Sequence, residues 1–124
     1  MIRTIVLLAA ALFINTALAQ DDADEYAVVL PDDAQKCVLP AAPDAIPENA
    51  TLDQLKAAKA DIAVFQGEVG VFRECLDAAQ DNPSNTEGNK QAIISSFNYS
   101  VEMEERVAAR FNDAIRDYKE RNAQ

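Results

Sequence analysis

Histidine and tryptophan are absent from the 124-residue chain, and glycine (three) and cysteine (two) are scarce. Without histidine, the chain lacks the commonest general base and the commonest metal ligand in proteins. It also lacks a glycine-rich phosphate loop and the G-x-S-x-G turn of serine hydrolases, and Ser95, Ser96 and Ser100 have no evident base. These absences predict a non-enzymatic protein with no catalytic residue, cofactor or metal site.

Basic residues are also outnumbered. The chain has 21 acidic and 11 basic residues, which gives a formal net charge of −10. Nucleic acids and anionic membrane surfaces repel such a chain, so neither is expected as a partner. Residues 20–36, "QDDADEYAVVLPDDAQK", are expected to form an acidic, flexible N-terminal segment. Asp21 to Glu25 resemble a calcium loop in composition only, since the required glycine and terminal glutamate are missing.

The first 19 residues have the layout of a secretory signal peptide. Arg3 precedes an apolar run from Ile5 to Ile14, and small residues at Ala17 and Ala19 form a cleavage pattern. The run is shorter than the ~20 residues that span a bilayer. We therefore expect cleavage after Ala19, export from the cytoplasm, and no stable membrane span afterwards.

Hydrophobic spacing predicts two long helices, at about 51–80 and 89–122, joined by the turn-forming residues 81–88, "DNPSNTEG". Thr51 and Gln54 are spaced as a capping box at the first helix start. The short link makes the helices antiparallel neighbours. The main apolar face of the first helix comprises Leu52, Leu55, Ala58, Ile62, Phe65, Val69, Phe72, Leu76 and Ala79.

The first helix also carries a second apolar stripe. By the helical period, its residues lie about 120–200° from Val69 around the helix axis. A helix with two apolar faces needs two partners. The members of the second apolar stripe are Ala57, Ala60, Val64, Gly67, Val71, Cys75 and Ala78. Gly70 falls on the polar side, where the pattern suggests no role for it.

Residues 37–50, "CVLPAAPDAIPENA", form a proline-rich segment that ends where the first helix begins. In polyproline II geometry it spans ~43 Å, enough to run back along the ~36 Å of helix from Thr51 to Cys75. An even cysteine pair in an exported chain indicates a disulfide, with two free or buried thiols as the alternative. We predict a Cys37–Cys75 bond, with the proline-rich segment covering the second apolar stripe.

The run from Cys37 to Thr51, followed by a helix and a second cysteine, resembles small exported bacterial proteins of unknown function. In these, a C-x-x-P-x-x-P-x-x-P-x-x-A-T segment precedes an α-helical hairpin. The resemblance implies a disulfide-stapled, all-α hairpin over residues 37–124 in the bacterial periplasm or medium. It implies no catalytic residues.

Glu104 lies inside the apolar arc of the second helix, where a buried carboxylate could carry acid–base chemistry. The favoured interpretation places Glu104 at the edge of the helix interface, reaching solvent or bonding Gln66, because one carboxylate without a base, metal or cleft is not a site. The predicted function is therefore a non-enzymatic envelope or secreted interaction protein, either a homodimer through its helix faces or bound to an envelope protein. Binding of a cation or cationic partner by residues 20–36 is the alternative.

Overall fold

The computed structural model describes residues 21–123, which form an all-α hairpin as predicted. The helices are α1 (Asp21–Glu25), α2 (Asp32–Gln35), α3 (Leu52–Gln80) and α4 (Glu87–Asn122). The predicted signal peptide, residues 1–19, lies outside the described residues. Among residues 21–123, no helix has the length and apolarity needed to cross a bilayer.

Both long helices begin at a capping box. Thr51 Oγ1 accepts a hydrogen bond from Gln54 N at 3.2 Å, and Thr51 N donates to Gln54 Oε1 at 2.9 Å, as predicted. Helix α4 begins earlier than expected because Thr86 forms the same reciprocal pair with Asn89. The usual capping-box pattern has Glu or Gln at the position that Asn89 occupies, so the sequence signal is weaker here.

The main apolar face of α3 packs against α4 in two clusters, as its spacing predicted. The hydrogen-bonded pairs Gln66–Glu104 and Arg73–Ser100 show that the helices are antiparallel, because later residues of α3 contact earlier residues of α4. One cluster lies near the turn and contains Ala34, Phe72, Leu76, Ala79 and Ile93. The other lies further from the turn and contains Phe65, Val69 and Val107.

The predicted disulfide is confirmed: Cys37 and Cys75 are bonded, with their Cα atoms 5.6 Å apart. From there the proline-rich segment runs antiparallel to α3. Residues 41–44 lie beside residues 61–68, and residues 43–47 lie beside residues 54–62. At the far end, Arg121 Nη2 donates to the carbonyl oxygen of Ala50 at 3.1 Å, which fastens this segment to α4 as well.

The proline-rich segment covers less of the second apolar stripe than predicted. The segment lies over the groove between α3 and α4, where Val107 and Arg110 of α4 border it together with Ile62 of α3. Leu39 packs against the cluster that contains Phe72 and Leu76. The groove offers larger apolar side chains than the alanines and glycine of the second apolar stripe, so burial there stabilises the segment more.

Most of the second apolar stripe is consequently left open, although residues 41–47 border Ala57 and Val64 and Cys75 is bonded to Cys37. Val64 and Val71 are 63% and 67% exposed, and the alanines of the stripe are also exposed. A β-carbon added at Gly67 would meet nothing within 4 Å, so no neighbour in the described chain requires a glycine there.

Part of the N-terminal segment, within residues 27–36, contacts the hairpin, and these contacts were not predicted. Leu30 packs against the cluster near the turn, and Ala34 in α2 is 2% exposed. Asn89 Nδ2 donates to the carbonyl oxygen of Val29 at 2.7 Å. Leu30 and Ala34 thus cover the end of the hairpin core that the long helices leave open.

Asp33 connects this segment to the turn between the long helices. Asn82 Nδ2 donates to Asp33 Oδ2 at 2.9 Å, and Lys36 lies 3.1 Å from the other carboxylate oxygen. These two contacts, the Asn82 hydrogen bond first, hold the pKa of Asp33 below its ordinary value. The carboxylate is therefore part of the attachment of the N-terminal segment.

Candidate functional site

A polar cluster crosses the interface between α3 and α4 at Arg73. Its Nε donates to Ser100 Oγ at 2.9 Å, its Nη2 lies 2.8 Å from Glu104 Oε2, and its guanidinium stands 5.6 Å from the Phe97 ring centre. Ser100 is fully buried and donates to the carbonyl oxygen of Phe97 at 2.6 Å. Nη2 is buried and makes no aligned hydrogen bond, so its contact with Glu104 is an ion pair.

Glu104 is thus a structural partner at the edge of the interface. Gln66 Nε2 donates to Glu104 Oε1 at 3.3 Å, which confirms the favoured interpretation. The contact of Glu104 with Arg73 was not predicted, because the sequence pattern gave no role to Arg73. Its side chain is only 23% exposed, and the long aliphatic stem lets the charged group reach the edge of the interface.

Replacing Glu104 with glutamine should lower the free energy of unfolding by about 1–2 kcal/mol, because the half-buried Arg73 loses its counter-charge. Glu105→Gln is the matched control, since Glu105 is exposed on the next position of α4 and should change stability by less than ~0.5 kcal/mol. Urea denaturation followed by circular dichroism measures both. Equal midpoints for the two variants would contradict the proposed role of the ion pair.

A cavity of about 180 Å³ lies between the proline-rich segment and the hairpin. Its walls are mostly apolar, with the charged side chains of Asp44, Asp61 and Arg110 also lining it. These three side chains are exposed, and no ion pair joins any of them to another described residue. Among the described residues that line the cavity there is no assembled set of nucleophile, base and oxyanion donors.

The described side chains of the N-terminal segment, residues 23–36, belong to no cluster of metal ligands. Among the side chains of residues 23–123, no three Asp, Glu or Cys residues converge on one point that could hold a metal ion. The carboxylates of the N-terminal segment are used in part for attachment, since Glu25 Oε1 accepts from Glu87 N at 3.3 Å and Asp33 bonds Asn82. The hypothesis of cation binding through residues 20–36 gains no support from this arrangement.

The second apolar stripe of α3 is an exposed apolar face on which a partner could pack. From Ala57 to Val71 its members are spaced alternately three and four residues apart, which is the a/d spacing of a heptad repeat. Glu74 takes the next position of that repeat, before Ala78. Asp61 and Glu68 flank the stripe on the side of the proline-rich segment, and Lys56 and Asp77 flank it on the other side.

Comparison of the chain with protein-family models, curated proteins and solved structures finds no match. The chain also departs from the motif C-x-x-P-x-x-P-x-x-P-x-x-A-T, because three residues separate Pro43 from Pro47 where the motif has two. The functional inference therefore depends on the geometry of this chain alone.

Proposed function

We propose that the protein is an exported, non-enzymatic interaction protein that binds a helical partner through the second apolar stripe. The single observation that supports this function best is the exposure of Val64 and Val71, at 63% and 67%, within an a/d-spaced helix face. An apolar a/d face of this kind is what a second helix packs against in a coiled coil. Its burial would remove apolar surface from water, which drives association.

Export is part of the proposal. The N-terminal sequence has the layout of a signal peptide, and an intramolecular disulfide between Cys37 and Cys75 suits an oxidising compartment. By the resemblance of its proline-rich segment, the compartment is the periplasm or exterior of a bacterium.

Site-specific photo-crosslinking tests the proposed surface in the native compartment. A photoreactive amino acid replaces Val64 in one variant and Val28 in the control, which is 62% exposed on the N-terminal segment. We expect a discrete product only from position 64, with the link mapped to one face of a helix in the partner. The product should disappear when Val71→Glu places a charge on the same face.

Two results would contradict the proposed function. One is equal labelling from positions 64 and 28, which would indicate collisions without a specific surface. The other is a product from position 64 that survives Val71→Glu, because a partner on the second apolar stripe must cover both valines.

A further inference from the structure

We infer that the partner on the second apolar stripe is a second copy of this chain, with the two α3 helices antiparallel. This inference rests on the proposed function and specifies its partner. It is argued from the sizes of the side chains along the stripe and from the signs of the charges that flank it. The size pattern and one of the two charged flanks are self-complementary when the chain is turned end for end.

Side-chain size gives the first reason. Val64 and Val71 occupy one set of heptad positions, while Ala60 and Gly67 occupy the other. In an antiparallel pair these two sets face each other, so Val64 packs on Gly67 of the second copy and Val71 packs on Ala60. In a parallel pair each residue faces its own equivalent, so glycine faces glycine and leaves a gap. The open space around Gly67 is thereby filled by a valine of the second copy.

The charges on one flank of the stripe give the second reason. In an antiparallel pair with two-fold symmetry, each flank meets the same flank of the other copy, reversed in direction. Lys56 then lies opposite Asp77 of the second copy, and this attraction occurs twice. Within its own chain Lys56 has a weak contact, 4.0 Å from the exposed Asp53. The other flank is repulsive, because Asp61 lies opposite Glu68 of the second copy, also twice. Side-chain size therefore decides the orientation of the pair.

The small contact area predicts a weak dimer. The stripe from Ala57 to Ala78 is ~32 Å long, and a helix presents a face ~10 Å wide. About 300 Å² per copy is well below the ~800 Å² of a standard interface. Each chain also carries a formal charge of −10, so two copies repel at low ionic strength. Association should therefore require high protein concentration and should strengthen with added salt.

Sedimentation equilibrium of the exported, disulfide-bonded chain at 0.02–1 mM protein tests the inference. We expect a monomer–dimer equilibrium that tightens as sodium chloride is raised from about 20 to 300 mM, over which charge screening increases. Val64→Glu should weaken it at least ~10-fold, because an unpaired charge is buried. Val28→Glu is the matched control, since Val28 is 62% exposed on the N-terminal segment, and should lower association by less than ~2-fold.

Charge substitutions separate the antiparallel pair from a parallel one. Asp61→Asn should strengthen the antiparallel dimer about two- to fivefold, because it removes two like-charge contacts. In a parallel pair Asp61 would instead face Lys56, so the same change would weaken association. Lys56→Asp and Asp77→Lys should each weaken the dimer, and the two together should restore it.

Three results would overturn the inference: a monomer at 1 mM, weaker association after Asp61→Asn, or no restoration in the Lys56→Asp/Asp77→Lys double variant. A monomer that still gives the Val71-dependent cross-link from position 64 to another protein overturns only the identity of the partner. A monomer without that cross-link overturns the proposed function as well.

Discussion

Replacing Cys37 with serine should lower the free energy of unfolding by about 2–5 kcal/mol, the usual effect of losing a disulfide from a small secreted domain. The bond closes a loop with a sequence separation of 38 residues and fixes one end of the proline-rich segment. Without it, this segment is held by its groove contacts and by the Arg121 hydrogen bond to Ala50 at its other end. Its detachment would uncover the groove-facing sides of Ile62 and Val107.

Three further variants make this prediction specific. Cys75→Ser and the double cysteine variant should match Cys37→Ser, because each removes the same bond. Val38→Ser is the matched control, since Val38 is adjacent to Cys37 and 79% exposed, and it should unfold close to the parent. Thermal and urea unfolding under oxidising conditions provide the comparison. A cysteine variant with the same unfolding midpoint as Val38→Ser would contradict a stabilising role for the bond.

The second large effect is expected from Gly88→Ala. Gly88 is buried at the start of α4, and a β-carbon there would overlap the backbone carbonyl of Ala27. Backbone cannot rotate aside as a long side chain can, so residues 26–36 must move away from the hairpin. We expect a loss of about 1–3 kcal/mol from this overpacking, together with loss of the Asn89 bond to Val29.

Gly70→Ala is the matched control for that change. A β-carbon at Gly70 meets nothing within 4 Å, and the position lies inside α3. The same substitution should there raise stability by about 0.5–1 kcal/mol, because alanine has the better helix propensity. Amide hydrogen exchange should locate the Gly88→Ala effect at residues 26–36. Unchanged protection at Val29 and Ala34 would contradict the close contact with Ala27.

The hairpin could be predicted from sequence because its signals are local. The main apolar face of α3 has helical spacing, and Thr51 with Gln54 is a recognisable helix start. The disulfide could be predicted because the proline-rich segment, which starts at Cys37, is long enough to reach back along α3 to Cys75. These features depend on spacing along the chain, which the sequence displays directly.

The position of the proline-rich segment could not be predicted in the same way, because two surfaces of α3 competed for it. The groove has the larger side chains, including Ile62 and Val107, but a groove exists only after α4 has packed. A pattern analysis of α3 alone therefore assigned the segment to the second apolar stripe. Gly88 was missed for a similar reason: its requirement comes from Ala27, 61 positions away along the chain.

The central claim is that a second copy covers the second apolar stripe, and methyl NMR of valine-labelled protein tests it most directly. A weak dimer forms progressively as the protein concentration rises from about 0.02 to 1 mM. We therefore expect the methyl signals of Val64 and Val71 to shift together over this range. The buried Val69 and the exposed Val28 should stay in place. Constant Val64 and Val71 signals throughout this range, or shifts confined to Val28, Val29 and Val38, would contradict the claim.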